Sequence, residues 1–162
     1  VFPEERYKSV GYMSRGSQQR MQAFFGNNDY SGFERSWYNN LIYQGIHGNS
    51  SRKFRAGLSF MAEQFDESYK GEQYLRTELV PGAFYELTYS KARYSIVGGL
   101  RLDQHNLYGT LFTPRLHAKY DFTDETALRL AAGRGYRVAN VFAENMGGLV
   151  SSREVEILGN GA

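Results

Sequence analysis

Charged side chains share the odd-numbered positions of residues 93–137 in this 162-residue chain. The basic members of this set are Arg93, Arg101, Arg115, His117, Lys119, Arg129 and Arg137. Its acidic members are Asp103 and Asp121. A row of cations attracts an anionic ligand and binds it through charge-assisted hydrogen bonds. The alternative is that these groups form cross-strand ion pairs, which tie neighbouring strands together without binding a ligand.

Asp103 and His105 are two residues apart, so they lie on the same side of an extended strand. A carboxylate and an imidazole can both bind a metal ion, but two ligands do not define a metal site. The other histidines, His47 and His117, are not spaced to complete one. We therefore expect Asp103 and His105 to lie at the solvated edge of an outer loop. The sequence predicts no metal site.

The stretch "LRLAAGRGYRVANVFAENMGG", residues 128–148, changes from strict alternation to a polar, glycine-rich segment. A hairpin needs only two to five turn residues, so a segment of this length is expected to have another role. We predict that the strand ends near Ala132 and that the polar groups beyond it contact a ligand or hold the segment to the sheet. These groups are Arg134, Tyr136, Arg137, Asn140, Glu144 and Asn145.

Aromatic residues also occur in two polar segments, residues 26–34 and 66–77. The first contains Tyr30, and the second contains Tyr69 and Tyr74. Exposed aromatic residues on long loops are common in binding surfaces, because the ring is apolar and the tyrosine hydroxyl can hydrogen-bond. The alternative is that these loops pack on each other.

Composition excludes several classes of function. The chain has no cysteine, so it has no disulfide or thiolate metal site, and its net charge of +2 is too small to indicate nucleic-acid binding. No nucleophile is paired with a base at a recognisable spacing, and no phosphate-binding glycine loop follows a strand. We therefore predict no enzymatic activity and no cofactor.

Apolar and polar residues alternate with a period of two through most of the chain, which indicates β-strands. The pattern predicts about seven strands, near residues 17–25, 35–46, 53–63, 82–90, 93–103, 115–122 and 127–133. Several are longer than the usual strand of a globular protein. Pro114 cannot donate to a ladder, so the sixth strand is predicted to begin near Arg115.

The predicted connections alternate between long and short. Residues 26–34, 66–77 and 104–114 are long, whereas residues 47–52, 90–93 and 123–126 are short. Long outer loops and short inner turns are typical of bacterial outer-membrane barrels. Four aromatic residues flank two of the short turns, namely Tyr89, Tyr94, Tyr120 and Phe122. Aromatic residues form such a girdle where a barrel meets the membrane interface. We therefore predict an all-β antiparallel meander that forms part of a transmembrane outer-membrane β-barrel.

Two alternatives share this pattern. A soluble β-rich binding module shows the same alternation with its apolar face packed inward. A small, complete outer-membrane barrel of about eight strands would need residues 4–14 as an additional strand and would serve as an adhesin or a structural protein.

Residues 94–145 resemble the barrel domain of TonB-dependent outer-membrane receptors. The features of that resemblance are "GLRLDQHN", then "TPRLHAKYDFTDETALRLAAGRGYR", with a Gly-Tyr-Arg step at residues 135–137. Many members continue with Ala-Pro and an acidic residue, whereas this chain reads "VANVFAEN" and keeps only the acid, Glu144. The resemblance covers residues 75–148 well and the first seventy by pattern.

The resemblance implies a barrel of about 22 strands that is closed by an N-terminal plug domain. It implies import of a scarce small-molecule cargo, such as a ferric siderophore, cobalamin, another chelate or a glycan, driven by the TonB energising complex. We therefore expect residues 1–162 to be a barrel fragment without the plug, in the bacterial outer membrane. Its expected partners are the lipid bilayer, the missing strands, the plug and the cargo, and no nucleic acid.

Overall fold

The computed structural model describes residues 7–25, 28–140 and 142, and it consists of one antiparallel sheet. The strands are β1 Ser9–Phe25, β2 Asn28–Ile46, β3 Arg52–Tyr69, β4 Glu72–Lys91, β5 Tyr94–His105, β6 Gly109–Asp121 and β7 Ala127–Gly133. Each strand pairs with the next one along the chain, so the all-β meander is confirmed. None of these residues forms a helix long and apolar enough to cross a membrane.

The connections of the meander alternate between the two ends of the sheet. Residues 47–51, 92–93 and 122–126 lie at one end, which we call the short-turn end. Residues 70–71 and 106–108 lie at the opposite end, which we call the hairpin end. The prediction that the short connections share one end is confirmed.

The predicted long loops are wrong. Residues 28–34, 66–69 and 72–77 belong to strands, and β3 and β4 are joined by Lys70 and Gly71 alone. Both residues have positive φ, 54° and 83°, as a tight two-residue hairpin turn requires. The strands continue past the predicted boundaries because backbone pairing continues, with Tyr30 opposite Tyr69 and Tyr69 opposite Glu72.

The predicted start of β6 near Arg115 is also wrong, because Pro114 lies inside the strand opposite Leu100. The last residue pair between β6 and β7 is Arg115 with Gly133, so Pro114 lies just beyond the ladder. Its carbonyl still accepts a hydrogen bond of 3.0 Å from the Arg134 backbone N–H. The missing proline N–H therefore removes no bond from the ladder with β7.

The pairing register assigns every strand residue to one of two faces, because directly opposite residues share a face. Leu100 lies opposite Pro114, and Leu116 lies opposite Ala132. The outer face therefore contains Leu100, Leu102, Leu116, Tyr120, Leu128 and Leu130. The inner face contains Arg101, Arg115, Lys119 and Arg129. This division confirms the predicted separation of apolar and charged residues.

The apolar band of the outer face covers only part of each long strand. On β3 it extends from Phe54 to Ala62, and Gln64, Asp66 and Ser68 follow it. A tilted strand needs about 9–11 residues to cross a bilayer, which matches this band. The remaining residues of β2, β3 and β4 therefore extend beyond the band at the hairpin end, where β3 and β4 form one hairpin.

Aromatic rings cluster at the short-turn end of the band. The ring centroids of Tyr89 and Tyr94 are 5.7 Å apart, and those of Tyr120 and Phe122 are 4.9 Å apart. Their position at the strand ends agrees with the predicted girdle, since aromatic belts lie where an apolar band meets water.

Candidate functional site on the inner face

Three cations of the inner face, on β5 and β6, are paired with carboxylates. Arg101 donates to both oxygens of Asp103 at 2.7 Å, and it also reaches Ser59 Oγ at 2.8 Å. Arg115 pairs with Glu86. Lys119 Nζ lies 2.8 Å from Asp121. The pair of Arg115 in β6 with Glu86 in β4 joins different strands, as the ion-pair interpretation predicted, whereas the other two pairs each lie within one strand.

Arg129 differs from these cations because it has no ion-pair partner within the described part of the chain. It is exposed on β7, and its neighbour across the ladder is Lys119. Of the cations at positions 101–129, Arg129 is therefore the one best placed to meet a group from outside the sheet.

Asp103 and His105 are buried, with 0% and 1% of their surface exposed, so the predicted solvated loop edge is wrong. Both residues lie within β5 on the inner face. Asp103 is covered by Tyr136, which comes from beyond β7 and donates a hydrogen bond of 3.0 Å to its Oδ2. Tyr136 is 33 positions away from Asp103 in the sequence, so the local pattern could not indicate that it covers Asp103.

His105 belongs to a second buried polar cluster at the hairpin end. The Leu107 backbone N–H donates to His105 Nδ1 at 3.1 Å, so Nδ1 is an acceptor and the ring proton is on Nε2. That proton points to Glu78 Oε2 at 3.2 Å. Arg76 Nε is 2.9 Å from the other Glu78 oxygen, but neither atom has an aligned hydrogen-bond partner. Among the described residues no group of three or more ligands is arranged for a metal ion.

Tyr69 and Tyr74 do not lie on an exposed loop as predicted, since they belong to β3 and β4 and face inward. Together with Tyr30 of β2 they surround Phe142, and their ring centroids lie 5.5 Å (Tyr30), 6.2 Å (Tyr69) and 5.1 Å (Tyr74) from it. Burial, and then a hydrogen bond to Glu67 at 2.8 Å, raise the pKa of Tyr30. This packing agrees with the alternative in which the two segments contact each other.

The chain beyond β7 crosses the inner face of the sheet. We call residues 134–140, together with Phe142, the crossing segment. It begins at the hydrogen bond between Arg134 and Pro114, passes Asp103 through Tyr136, and reaches the tyrosines of β2, β3 and β4 through Phe142. Glu144 and Asn145 lie outside the described residues.

The other predicted residues of the crossing segment differ in exposure. Arg137 is exposed, whereas Asn140 is half-buried and accepts a hydrogen bond of 3.1 Å from the Phe142 backbone N–H. Asn140 also lines a cavity of about 170 Å³ together with Tyr30, Phe65 and Glu67. The structure thus brings Asn140, Tyr69 and Tyr74 to the hairpin end of the inner face. Arg101, Asp103 and Tyr136 form a separate group, since Asp103 lies opposite Gly82, further along β4 from Tyr74.

Tyr136 is held as a hydrogen-bond donor. Partial burial of its ring, and then its bond to the Asp103 carboxylate, raise the pKa of Tyr136 above its ordinary value. The hydroxyl therefore stays protonated at neutral pH and continues to donate to Asp103. This contact holds the crossing segment against the inner face of the sheet.

Gly82 has a role that sequence reasoning missed. It lies opposite Asp103 on β4, and a Cβ added there would come within 1.9 Å of Asp103 Oδ1 and 2.9 Å of Ser59 Oγ. The absent side chain lets Arg101 reach across β4 to Ser59 on β3. A glycine inside a strand is the sequence signal for such a close approach.

Replacing Gly82 by alanine should lower the free energy of unfolding by about 1–3 kcal/mol, because the methyl group overpacks the Asp103 site. The measurement is urea unfolding of the full-length protein in lipid vesicles. The matched control is Gly98→Ala in β5, where an added Cβ meets nothing within 4 Å. Equal urea midpoints for the two variants would contradict the close contact at Gly82.

Long antiparallel strands with an apolar outer face, a charged inner face and aromatic rings at the band's edge define the wall of a transmembrane β-barrel. The family described as TonB dependent receptor-like, beta-barrel, matches residues 3–160. The chain belongs to this family. Comparisons with curated proteins and with solved structures found no match.

Family membership places the protein in the bacterial outer membrane, within a family of receptors that transport substances across it. The outer face is therefore in contact with lipid, and the soluble-module alternative is excluded. The alternative of a complete eight-stranded barrel needed a separate strand at residues 4–14. Residues 9–14 instead form the beginning of β1, so they do not provide that strand.

Proposed function

We propose that this chain forms part of the wall of a receptor for energised uptake of a scarce small-molecule cargo, and that it has no catalytic role. The cargo is a ferric siderophore, cobalamin, a similar chelate or a glycan. The observation that supports this proposal most directly is the crossing segment, which carries polar and aromatic groups over the inner face. A wall that served only to span the membrane would not need such a segment.

The proposed contact surface consists of the exposed parts of the crossing segment and the inner-face residues beside it. Tyr136, Arg137 and Asn140 would meet the cargo or the plug domain, whereas Arg134, also predicted as such a contact, lines the outer face together with Leu116. Arg101 and Asp103 would hold Tyr136 in place, since Asp103 is fully buried behind it. Because Arg101 and Arg115 are already paired with carboxylates, we propose that hydrogen bonds and aromatic contacts select the cargo more than free positive charge does.

We further propose that residues 1–162 are one portion of a larger barrel that holds a plug domain and couples to the TonB complex. The edges of the sheet support this idea. Among the described residues, β1 pairs only with β2 and β7 only with β6, so each presents an unpaired edge. Additional strands at both edges would satisfy those backbone groups.

Removing the Tyr136 hydroxyl tests this proposal. Tyr136→Phe in the full-length receptor should reduce uptake at subsaturating cargo by about 2–10-fold, as expected for the loss of one hydrogen bond that positions the segment. Uptake would be measured in cells with labelled ferric chelates, cobalamin and oligosaccharides. The matched control is Tyr12→Phe, which loses a hydroxyl bonded to Asn39 at 2.7 Å on the outer face.

Receptor abundance in the outer-membrane fraction must be equal in the two variants. Uptake by Tyr136→Phe at the level of Tyr12→Phe for the transported cargo would contradict a role for the crossing segment. Phe142→Ala provides a second variant, because it removes the ring that Tyr30, Tyr69 and Tyr74 surround.

A further inference from the structure

A groove of about 610 Å³ interrupts the outer face across β4 to β7. Its apolar lining includes Tyr85, Leu87, Leu100 and Leu116. Gly98 lies among these side chains, and a Cβ added to it would meet nothing within 4 Å. The groove therefore lies where a side chain is absent, and it is a shallow depression open along one side rather than an enclosed cavity.

Arg134 also lines this groove, and it is exposed. It has no ion-pair partner within the residues that the structure describes, unlike Arg101 and Arg115. A cation on the lipid-facing side of a barrel is costly unless its long side chain reaches the headgroup region or pairs with an anion. At the headgroup region an arginine with no ion-pair partner among the described residues is well placed to bind an anionic lipid headgroup.

The direction of β7 decides which leaflet supplies that partner. Outer-membrane barrels extend further from the bilayer on the extracellular side than on the periplasmic side, and β2, β3 and β4 extend beyond the apolar band at the hairpin end. β7 starts at the short-turn end and runs away from it, so Arg134 follows Leu128 and Leu130 towards the outer leaflet. Acyl chains thus have access to the groove from the side where Arg134 can meet a headgroup.

We propose that this groove binds a net-anionic, phosphate-bearing lipid of the outer leaflet. One acyl chain packs over Gly98 between Leu100 and Leu116, and the lipid phosphate accepts hydrogen bonds from the Arg134 guanidinium. A guanidinium binds phosphate through parallel N–H donors, which makes arginine the suitable residue for this contact. The site is separate from the proposed cargo surface, because it lies on the opposite face of the sheet.

Native mass spectrometry of the full-length receptor tests the proposal. The receptor is equilibrated in bilayer nanodiscs of equal phosphatidylglycerol and phosphatidylcholine and then released into a mild detergent. We expect retained phosphatidylglycerol to exceed phosphatidylcholine by about fivefold, the preference expected from one basic residue near a net-anionic lipid. Arg134→Gln should bring this ratio near one, and Gly98→Leu should reduce the retention of both lipids.

Each variant has a matched control. Arg15→Gln removes a charge from the inner face of β1, and Gly16→Leu adds a side chain to the outer face of β1, where an added Cβ meets only Ser36 O at 3.9 Å. Both controls should retain lipid as the unmodified receptor does. The proposal is overturned if the unmodified receptor retains no lipid, if Arg134→Gln keeps the original ratio, or if Gly16→Leu loses as much lipid as Gly98→Leu.

Discussion

Replacing Leu116 by arginine in the full-length receptor should reduce its stability in lipid vesicles by about 2–4 kcal/mol. Leu116 lies on the outer face at the centre of the apolar part of β6, between Phe112 and Tyr120. A charge there faces hydrocarbon at mid-bilayer depth, where its desolvation is not compensated. The measurement is the urea midpoint of reversible unfolding in vesicles.

The neighbouring residue provides the matched control for this substitution. His117 lies one position further along β6 and points to the inner face, opposite Val97. His117→Arg should therefore change the urea midpoint by much less than Leu116→Arg does, because the new charge is not placed in lipid. Similar losses in the two variants would mean that Leu116 does not face the bilayer.

Within the apolar band, the sequence correctly predicted which residues lie on each face of the sheet. There the two sides differ sharply, as in Leu100 and Leu102 against Arg101 and Asp103, and a period of two assigns each residue to a face. The pairing register is also strongly specified in such strands, because a shift of one residue would exchange the apolar and charged faces. The number of strands and the positions of the short turns follow from the same pattern.

The pattern failed where the strands leave the band. On β3 the inner face continues through Phe65, Glu67 and Tyr69, but the outer face becomes Gln64, Asp66 and Ser68. Because Glu67 interrupts the aromatic residues of the inner face and the outer face is polar, the contrast that marks a strand weakens, and the segment resembles a loop. Backbone pairing with β2 and β4 nevertheless continues to the tight turn at Lys70 and Gly71.

The candidate site could be predicted only in part. Local spacing placed Arg101, Asp103 and His105 on one face, and composition marked the segment after β7 as unusual. Their burial depends on contacts between distant parts of the chain, such as Tyr136 with Asp103 and Phe142 with Tyr30. No local pattern specifies which strand a polar segment will cross.

Residues 1–162 produced alone should not behave as a soluble monomer. The described sheet has unpaired backbone donors and acceptors along β1 and β7, and such edges promote association with other chains. Its outer face also exposes a continuous apolar band that includes Leu58, Leu100 and Leu130, each more than half exposed. A patch of this kind exceeds what soluble monomers tolerate.

Light scattering in plain buffer is the measurement that tests this expectation, with the same chain in detergent as its comparison. We expect aggregates or oligomers in buffer, because association covers both the edges and the apolar band, and smaller particles once detergent covers the band. Seven strands of a wide barrel cannot close on themselves without added curvature, since strand number and diameter are linked. A monodisperse monomer of 18.5 kDa that unfolds cooperatively in buffer would contradict the assignment of this sheet to a larger barrel.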